Sequence, residues 1–196
     1  MKGGRSLARF ASSLAVCTLA SVGCTNRTQS SNALVAELAR EDRESRTGKE
    51  FKRTDQDRID LIYNELANGR VNTPADKFGA ALILDHSPMT FRDNKLVAKS
   101  PDNYLLGHYL AKAAMDGGYD DAKPLVAMTI DRYLSMTTGC QKYGSNRFIN
   151  QATGAEELSP VDRKTTDEER ARYGIAPLAQ LLSQYKEQNV SCRTPD

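Results

Sequence analysis

Ser100-Pro101-Asp102-Asn103-Tyr104-Leu105-Leu106-Gly107-His108-Tyr109-Leu110-Ala111-Lys112-Ala113-Ala114, running on to Gly117-Gly118, decides how the chain is read. Ser100 is a capping residue, and Pro101 suits the first helical position, where a missing N–H costs nothing. Leu106, Leu110 and the pair Ala113/Ala114 recur at helical spacing. Gly107, Ala111 and Ala114 lie nearly in line beside them, so a neighbouring backbone can come close. Gly117-Gly118 ends the helix by admitting the left-handed conformation. Asp120 or Asp121 starts a second helix, with Pro124 tolerated in its first turn. Val126, Ile130, Tyr133 and Leu134 form its apolar stripe and Gly139 closes it. This is a helical hairpin followed by a polar loop.

The segments on either side extend the pattern. Thr73-Pro74-Ala75-Asp76 opens a helix that is apolar nearly all round over residues 78–84, which predicts the central, most buried helix. His86 sits at its end and Ser87-Pro88 stops it. Further upstream, Thr54 and Asp57 make a capping-box-like pair. Behind it, Ile59, Ile62, Tyr63 and Leu66 fall on one helical face, ended by Asn68-Gly69. Residues 87–99 read as a loop pinned by Met89, Phe91, Leu96 and Val97. Downstream, a loop runs from Gly139 to about Pro160. Thr166-Asp167-Glu168-Glu169 then starts a short helix ending at Gly174. Pro177 starts the last one, with Leu178, Leu181, Leu182 and Tyr185 on one face. Sustained period-two alternation is absent, so strands are not expected. The expected fold is all-α: antiparallel helical hairpins, a short solenoid or bundle without a strict repeat period.

The N-terminus carries an address. Lys2, Arg5 and Arg9 form a basic start without an acid, and residues 10–20 are an apolar run too short to span a membrane. Ser21-Val22-Gly23-Cys24 follows. It resembles the lipobox of bacterial lipoproteins, with Ser21 where leucine is usual. The competing Leu14-Ala15-Val16-Cys17 puts valine at the cleavage position and fits worse. The resemblance implies a signal peptide over 1–23 and a diacylated (palmitate-type) Cys24 as the mature N-terminus. It also implies a cell-envelope protein, held at the periplasmic face of the outer membrane where the cell has one, as Thr25 rather than aspartate follows. Residues 24–50 are polar and read as a disordered tether with at most a short, weak helix around Leu34 and Leu38, leaving 51–192 as the helical domain.

Charge and cysteines narrow the options. Three of the 27 basic residues leave with the signal and none of the 25 acids does, so the mature chain has 24 basic residues and a net charge of −1. No basic stripe interleaved with aromatics appears, which argues against nucleic acid. Of four cysteines, Cys17 lies in the signal and Cys24 is the acylation site. Cys140 and Cys192 remain in an oxidising compartment, where a disulfide is expected. No Cys-x-x-Cys or His-rich cluster points to a metal, and no cofactor motif is present.

A second resemblance rests on His86, Gly107-His108-Tyr109-Leu110-Ala111, Asp131-Arg132-Tyr133-Leu134 and Gln141-Lys142-Tyr143-Gly144. From about Asp55 to Gln188 the chain resembles an uncharacterised bacterial domain family with an Asp-Arg pair late on a helix, then a Gln-x-Tyr/Phe-Gly-Thr-Gln loop. Thr166, Asp167, Arg170, Pro177 and Leu178 belong to the same pattern. Ser145-Asn146 stands where the family has Thr-Gln, keeping hydroxyl and amide chemistry. The resemblance implies a fold and brings no activity with it.

Six polar side chains stand out as a ligand site or a structural cluster: His86, His108, Asp131, Arg132, Gln141 and Tyr143. Two histidines suit metal binding or acid–base work, but they are not at i, i+4 spacing. His108 on an apolar helix is first of all a hydrogen-bonded core or rim histidine. Asp131 and Arg132 point about 100° apart on a helix, so each needs its own partner. Asp131 is expected to anchor the loop at Gln141, and Arg132 is a helix-end cation or an anion clamp. The leading expectation is a lipid-anchored helical domain that binds another envelope component, protein or glycan. The alternatives are an envelope hydrolase using His86 and His108 with Arg132 on an anionic substrate, and a purely structural lipoprotein. Convergence of the six side chains in one cleft would separate them.

Overall fold

A computed structural model describes residues 30–92, 95–150 and 152–189. The signal peptide, Cys24 and Cys192 therefore lie outside the described residues, and with them the expected acylation and the partner of Cys140. Seven helices account for most of the described chain. They are α1 (Ala33–Arg46), α2 (Asp55–Ala67), α3 (Pro74–Asp85), α4 (Asp102–Asp116), α5 (Ala122–Thr137), α6 (Asp167–Arg172) and α7 (Leu178–Gln184).

The helix starts follow their caps. Thr54 with Asp57, Thr73 with Asp76 and Thr166 with Glu169 each form a complete capping box. The expected Ser100 cap is replaced by Pro101, whose carbonyl receives the Tyr104 N–H. α3 is the central helix, as its all-round apolarity predicts. Gly79, Ala80, Ala81, Ile83, Leu84 and Asp85 are all buried. On one side Val35, Leu38, Ile59 and Ile62 of α1 and α2 close over Ile83 and Leu84. On the other, Ala81 meets Ala111, Leu125 and Val126 of α4 and α5. The small-residue line on α4 is what lets α3 approach. A Cβ on Gly107 would lie 3.3 Å from the Ala81 carbonyl oxygen and 3.5 Å from Leu84 Cβ, so the two helices meet backbone to side chain.

Two features correct the expectation. First, α1 lies within the stretch read as a disordered tether over 24–50. It is a 14-residue helix capped by Asn32, whose side chain accepts from the Leu34 and Val35 N–H groups. Val35, Leu38, Ala39 and Asp42 fall at i, i+3, i+4 and i+7 and are all buried, so the helical body begins near residue 30. The density of charge around these positions masks the stripe. Second, the fold is mostly helical but carries two small sheets. β1 (Met89–Arg92) and β2 (Lys95–Ala98) form an antiparallel hairpin in the loop between α3 and α4. β3 (Arg147–Ile149) pairs antiparallel with β4 (Glu156–Leu158), and β4 pairs parallel with β5 (Lys186–Glu187). Strands of two to four residues are too short to show alternation in sequence. β5 takes up the chain directly after α7, where Tyr185 turns extended.

Candidate functional site

The six side chains singled out from the sequence do not share one hydrogen-bond network. They divide into a loop anchor, an isolated histidine and a charged cluster at the end of α3.

Asp131 is fully buried on α5, and its carboxylate is saturated. Oδ1 accepts the Lys142 N–H at 2.7 Å and the Tyr143 N–H at 2.8 Å. Oδ2 accepts the Ser145 N–H at 2.9 Å and the Ser145 hydroxyl at 2.7 Å. The expected anchoring of the loop by Asp131 is thus present, with Ser145 supplying the hydroxyl contact. Burial pushes this carboxyl above its ordinary value, and the hydrogen bonds from Ser145, Tyr143 and Lys142 pull against it. Gln141 works from inside the same loop. Its amide donates to the Asn146 and Ser159 carbonyls at 3.0 and 2.9 Å and accepts the Asn146 N–H at 2.9 Å. Its own backbone bridges to Val161. Tyr143 is buried with its ring edge-on to Tyr173, 5.1 Å between centroids. Gly144 turns the loop at φ +90°, where an added Cβ would sit 2.8 Å from Leu181 Cδ1.

Arg170 closes this loop from below. It is buried on α6, donating from Nε to the Tyr143 carbonyl at 3.0 Å, from Nη1 to the Thr165 carbonyl at 2.6 Å and from Nη2 to the Asp162 carbonyl at 3.2 Å. Loop carbonyls that have no ladder partner are thereby satisfied by one guanidinium. Asp131 and Gln141 are therefore structural: their side-chain polar atoms are consumed in holding residues 141–146 against α5, and Tyr143 takes part through its backbone N–H and carbonyl.

His108 is hydrogen-bonded to neither group. Its Nδ1–H donates to the Val126 carbonyl at 2.9 Å, tying α4 to α5. The two histidines do not share a hydrogen-bond partner. Burial lowers the pKa of His108 below its ordinary 6.5, against the Val126 hydrogen bond and with the nearby Lys112 and Lys142 charges. The folded state therefore keeps this imidazole neutral, while the unfolded chain takes up a proton as pH falls through 6.5. Stability that is present above that value is lost on acidification towards the lowered one. Replacing His108 by glutamine is expected to flatten this part of a melting-temperature profile against pH. An unaltered slope would count against the assignment.

The charged cluster forms where α1, α3 and α5 converge. His86 caps α3 at its C-terminus, and its Nδ1–H donates to Asp42 Oδ2 of α1 at 2.6 Å. Asp42 is buried and also meets Arg46 at 3.1 Å and Arg58 Nε at 3.9 Å. Burial works to raise the Asp42 carboxyl, but its bonds and charge pairing with His86 and Arg46 outweigh this and hold it below the ordinary value. Arg132 reaches across from α5 and its Nη1 donates to the Asp85 carbonyl, at the peptide bond that joins Asp85 to His86. The same nitrogen lies 3.1 Å from Asp85 Oδ2, an ion-pair contact that lacks hydrogen-bond geometry, so neither oxygen of the fully buried Asp85 carboxyl accepts a hydrogen bond from the described residues. Burial raises the Asp85 carboxyl above its ordinary value, with Arg132 and His86 pulling it down and Asp42 adding to the rise.

His86 and Arg132 are thus brought together, through two acids that sequence reasoning passed over. Asp42 was legible as the i+7 member of the Val35, Leu38, Ala39 stripe. Asp85 was legible as a carboxylate at the end of an otherwise apolar helix. Neither of two surface hollows touches the six residues; one is lined by Asn32, Glu65, Arg70 and Asp76, the other by Glu37, Glu41, Phe51 and Arg53. Among the described residues no group of three or more His, Cys, Asp or Glu is arranged to hold a metal ion. Comparison of the chain with protein-family models, curated proteins and solved structures gives no match.

Proposed function

We propose that the chain is a lipid-anchored cell-envelope protein whose helical body binds another envelope component. The observation that carries the binding half is how the polar side chains are used. Asp131 and Gln141 have their side-chain polar atoms occupied by the fold, whereas His86 and Arg132 keep about a fifth to a quarter of their side chains exposed, each beside a buried acid. That is a small recognition edge on a rigid scaffold. The lipid half rests on the sequence around Cys24. Kinship with the bacterial family of the Asp-Arg pair belongs to the same proposal, supported by the way Asp131 holds the loop at Gln141.

Each acyl CH₂ buried in the bilayer contributes about 0.8 kcal/mol, so a multiply acylated cysteine anchors durably. The mature chain is expected in the membrane fraction with an acyl-shifted mass at Cys24, and Cys24→Ser is expected to accumulate as soluble or unprocessed protein. An unmodified mature N-terminus at another residue would overturn the anchor. Binding is tested in intact cells with a photo-crosslinking amino acid at Lys99, beside the hairpin that follows His86, and at the exposed Tyr109 and Ile149. One discrete cross-linked envelope species is expected from at least one position, and none from any of the three would refute the binding role.

A further inference from the structure

We propose that a disulfide between Cys140 and Cys192 clasps the C-terminal strand β5 to the chain just beyond α5, so that β5 is a strap that closes on oxidation and loosens on reduction. The described residues bring the two segments to one place. Cys140 is buried, and its neighbour Gln141 runs parallel to Val161. There the Gln141 N–H donates to the Pro160 carbonyl at 2.8 Å, and the Asp162 N–H donates to the Gln141 carbonyl at 2.8 Å. β5 runs parallel to the same segment slightly earlier, where the Gln188 N–H donates to the Leu158 carbonyl at 2.9 Å. Gln188 and Gln141 thus hang on carbonyls two residues apart. Two rises of about 3.3 Å along the segment, and at most two strand spacings of about 4.8 Å across it, put them within about 12 Å of each other. Cys192 follows Gln188 by four residues, a reach of up to about 14 Å, and a disulfide bridges a further Cα separation of about 5.5 Å. Since both pairings are parallel, the chain leaving Gln188 heads along the segment towards the level of Cys140.

The strap has work to do. β5 is two residues long and lies near the chain end, where short strands fray. Besides Gln188 on Leu158, it is held by Glu187, whose carboxylate accepts the Val161 N–H at 2.8 Å and pairs with the exposed Arg163. β5 thereby seats the segment that also receives Gln141, the residue that keeps the Asp131 loop in shape. A covalent link from Cys140 makes that seating independent of a solvent-screened ion pair. The burial of Cys140 favours a partner from its own chain over one from a second copy. Closure is thiol–disulfide exchange with an oxidised dithiol carrier. The Cys192 thiolate attacks the carrier's disulfide and releases one carrier thiolate; the Cys140 thiolate then attacks the Cys192 sulfur and releases the other. The chain loses two electrons and two protons, and the carrier leaves as a dithiol. The proposal rests on the envelope reading only for the presence of such a carrier.

The test uses the full-length chain purified in detergent, reduced, and then equilibrated with oxidised glutathione, so that its outcome does not depend on where the protein resides. After blocking with N-ethylmaleimide and digestion, mass spectrometry is expected to find the Cys140 peptide joined to the Cys192 peptide, with neither carrying the label. Labelling of both cysteines, or a link from Cys140 to Cys17, Cys24 or a second chain, would overturn the proposal. Protein taken directly from cells into N-ethylmaleimide is expected to carry the same link. A pair that is open in cells but closes with glutathione supports the clasp and counts against the envelope assignment alone. Hydrogen exchange reads the strap. On reduction, or in Cys192→Ser, the Val161 and Gln188 amides are expected to exchange at least about tenfold faster, with the helical Ile62 and Leu84 amides unchanged. Equal exchange at Val161 and Gln188 in the oxidised and reduced wild-type chain, a comparison that needs no variant to fold, would overturn the strap even with the bond in place.

Discussion

Asp131→Ala is expected to cost about 3 to 5 kcal/mol of folding stability, since four donors are stranded at about 1 to 3 kcal/mol each before the loop relaxes. Three backbone N–H groups and one hydroxyl point at this carboxylate, and the methyl group of alanine can receive none of them. Water could replace the missing acceptor only by entering a site packed by Leu181 and Val161 around Gly144. The loop is therefore expected to loosen as a unit, and equilibrium urea unfolding should show it. Asp131→Asn provides the internal scale. It keeps one acceptor oxygen but turns an NH₂ towards groups that are themselves donors, so an intermediate loss is expected. A fall below about 1 kcal/mol for the alanine variant would mean that the network contributes no more than an ordinary neutral hydrogen bond.

Arg170→Ala comes second, with an expected loss of about 3 kcal/mol, since one guanidinium satisfies three loop carbonyls and fills a buried volume. Asp167 is half exposed and its contact with Arg170 contributes little by itself. Lysine is not expected to rescue the site, because a single ammonium cannot present donors from three positions of a plane. The two losses should not add. Asp131 receives the Tyr143 N–H while Arg170 donates to the Tyr143 carbonyl, so both variants release the same residue. A double variant is expected to lose clearly less than the sum, and full additivity would show that the two anchors act on independent pieces of chain.

Which parts of this could be foreseen follows from the range over which each signal acts. Capping boxes at Thr54, Thr73 and Thr166 are local chemistry, decided within four residues, and each marks a helix start in the structure. The burial of α3 was legible because its residues are apolar on every side. The anchoring of residues 141–146 by Asp131 was legible from chain distance alone, since a helix that ends near Gly139 must return along its own last turns. What could not be read was set by partners far along the chain. Asp42 and His86 are 44 residues apart, and Arg132 and Asp85 are 47 apart. The place of Asp42 on the buried stripe of α1 is local, but its partner His86 is not. The strands were hidden for a related reason. β4 and β5 pair residues 29 apart in the chain, and their pairing follows from where α7 delivers the chain.

The seating of α1 also sets a leash. Ser31 and Asn32 are tied to Asp76 at the N-terminal end of α3, and Asn32 is tied in addition to Glu65. Under the proposed acylation of Cys24, only seven residue steps lead from the lipid-bearing residue to Ser31, a span of at most about 25 Å whatever path they take, where a free tether to residue 51 would have allowed about 95 Å. The body then rides close to the bilayer. Asp76 and His86 mark opposite ends of α3, so the end nearest the lipid is not the one that carries His86 and Arg132. Under that anchoring the leash would attach at the end of α3 opposite to the one that carries His86 and meets Arg132.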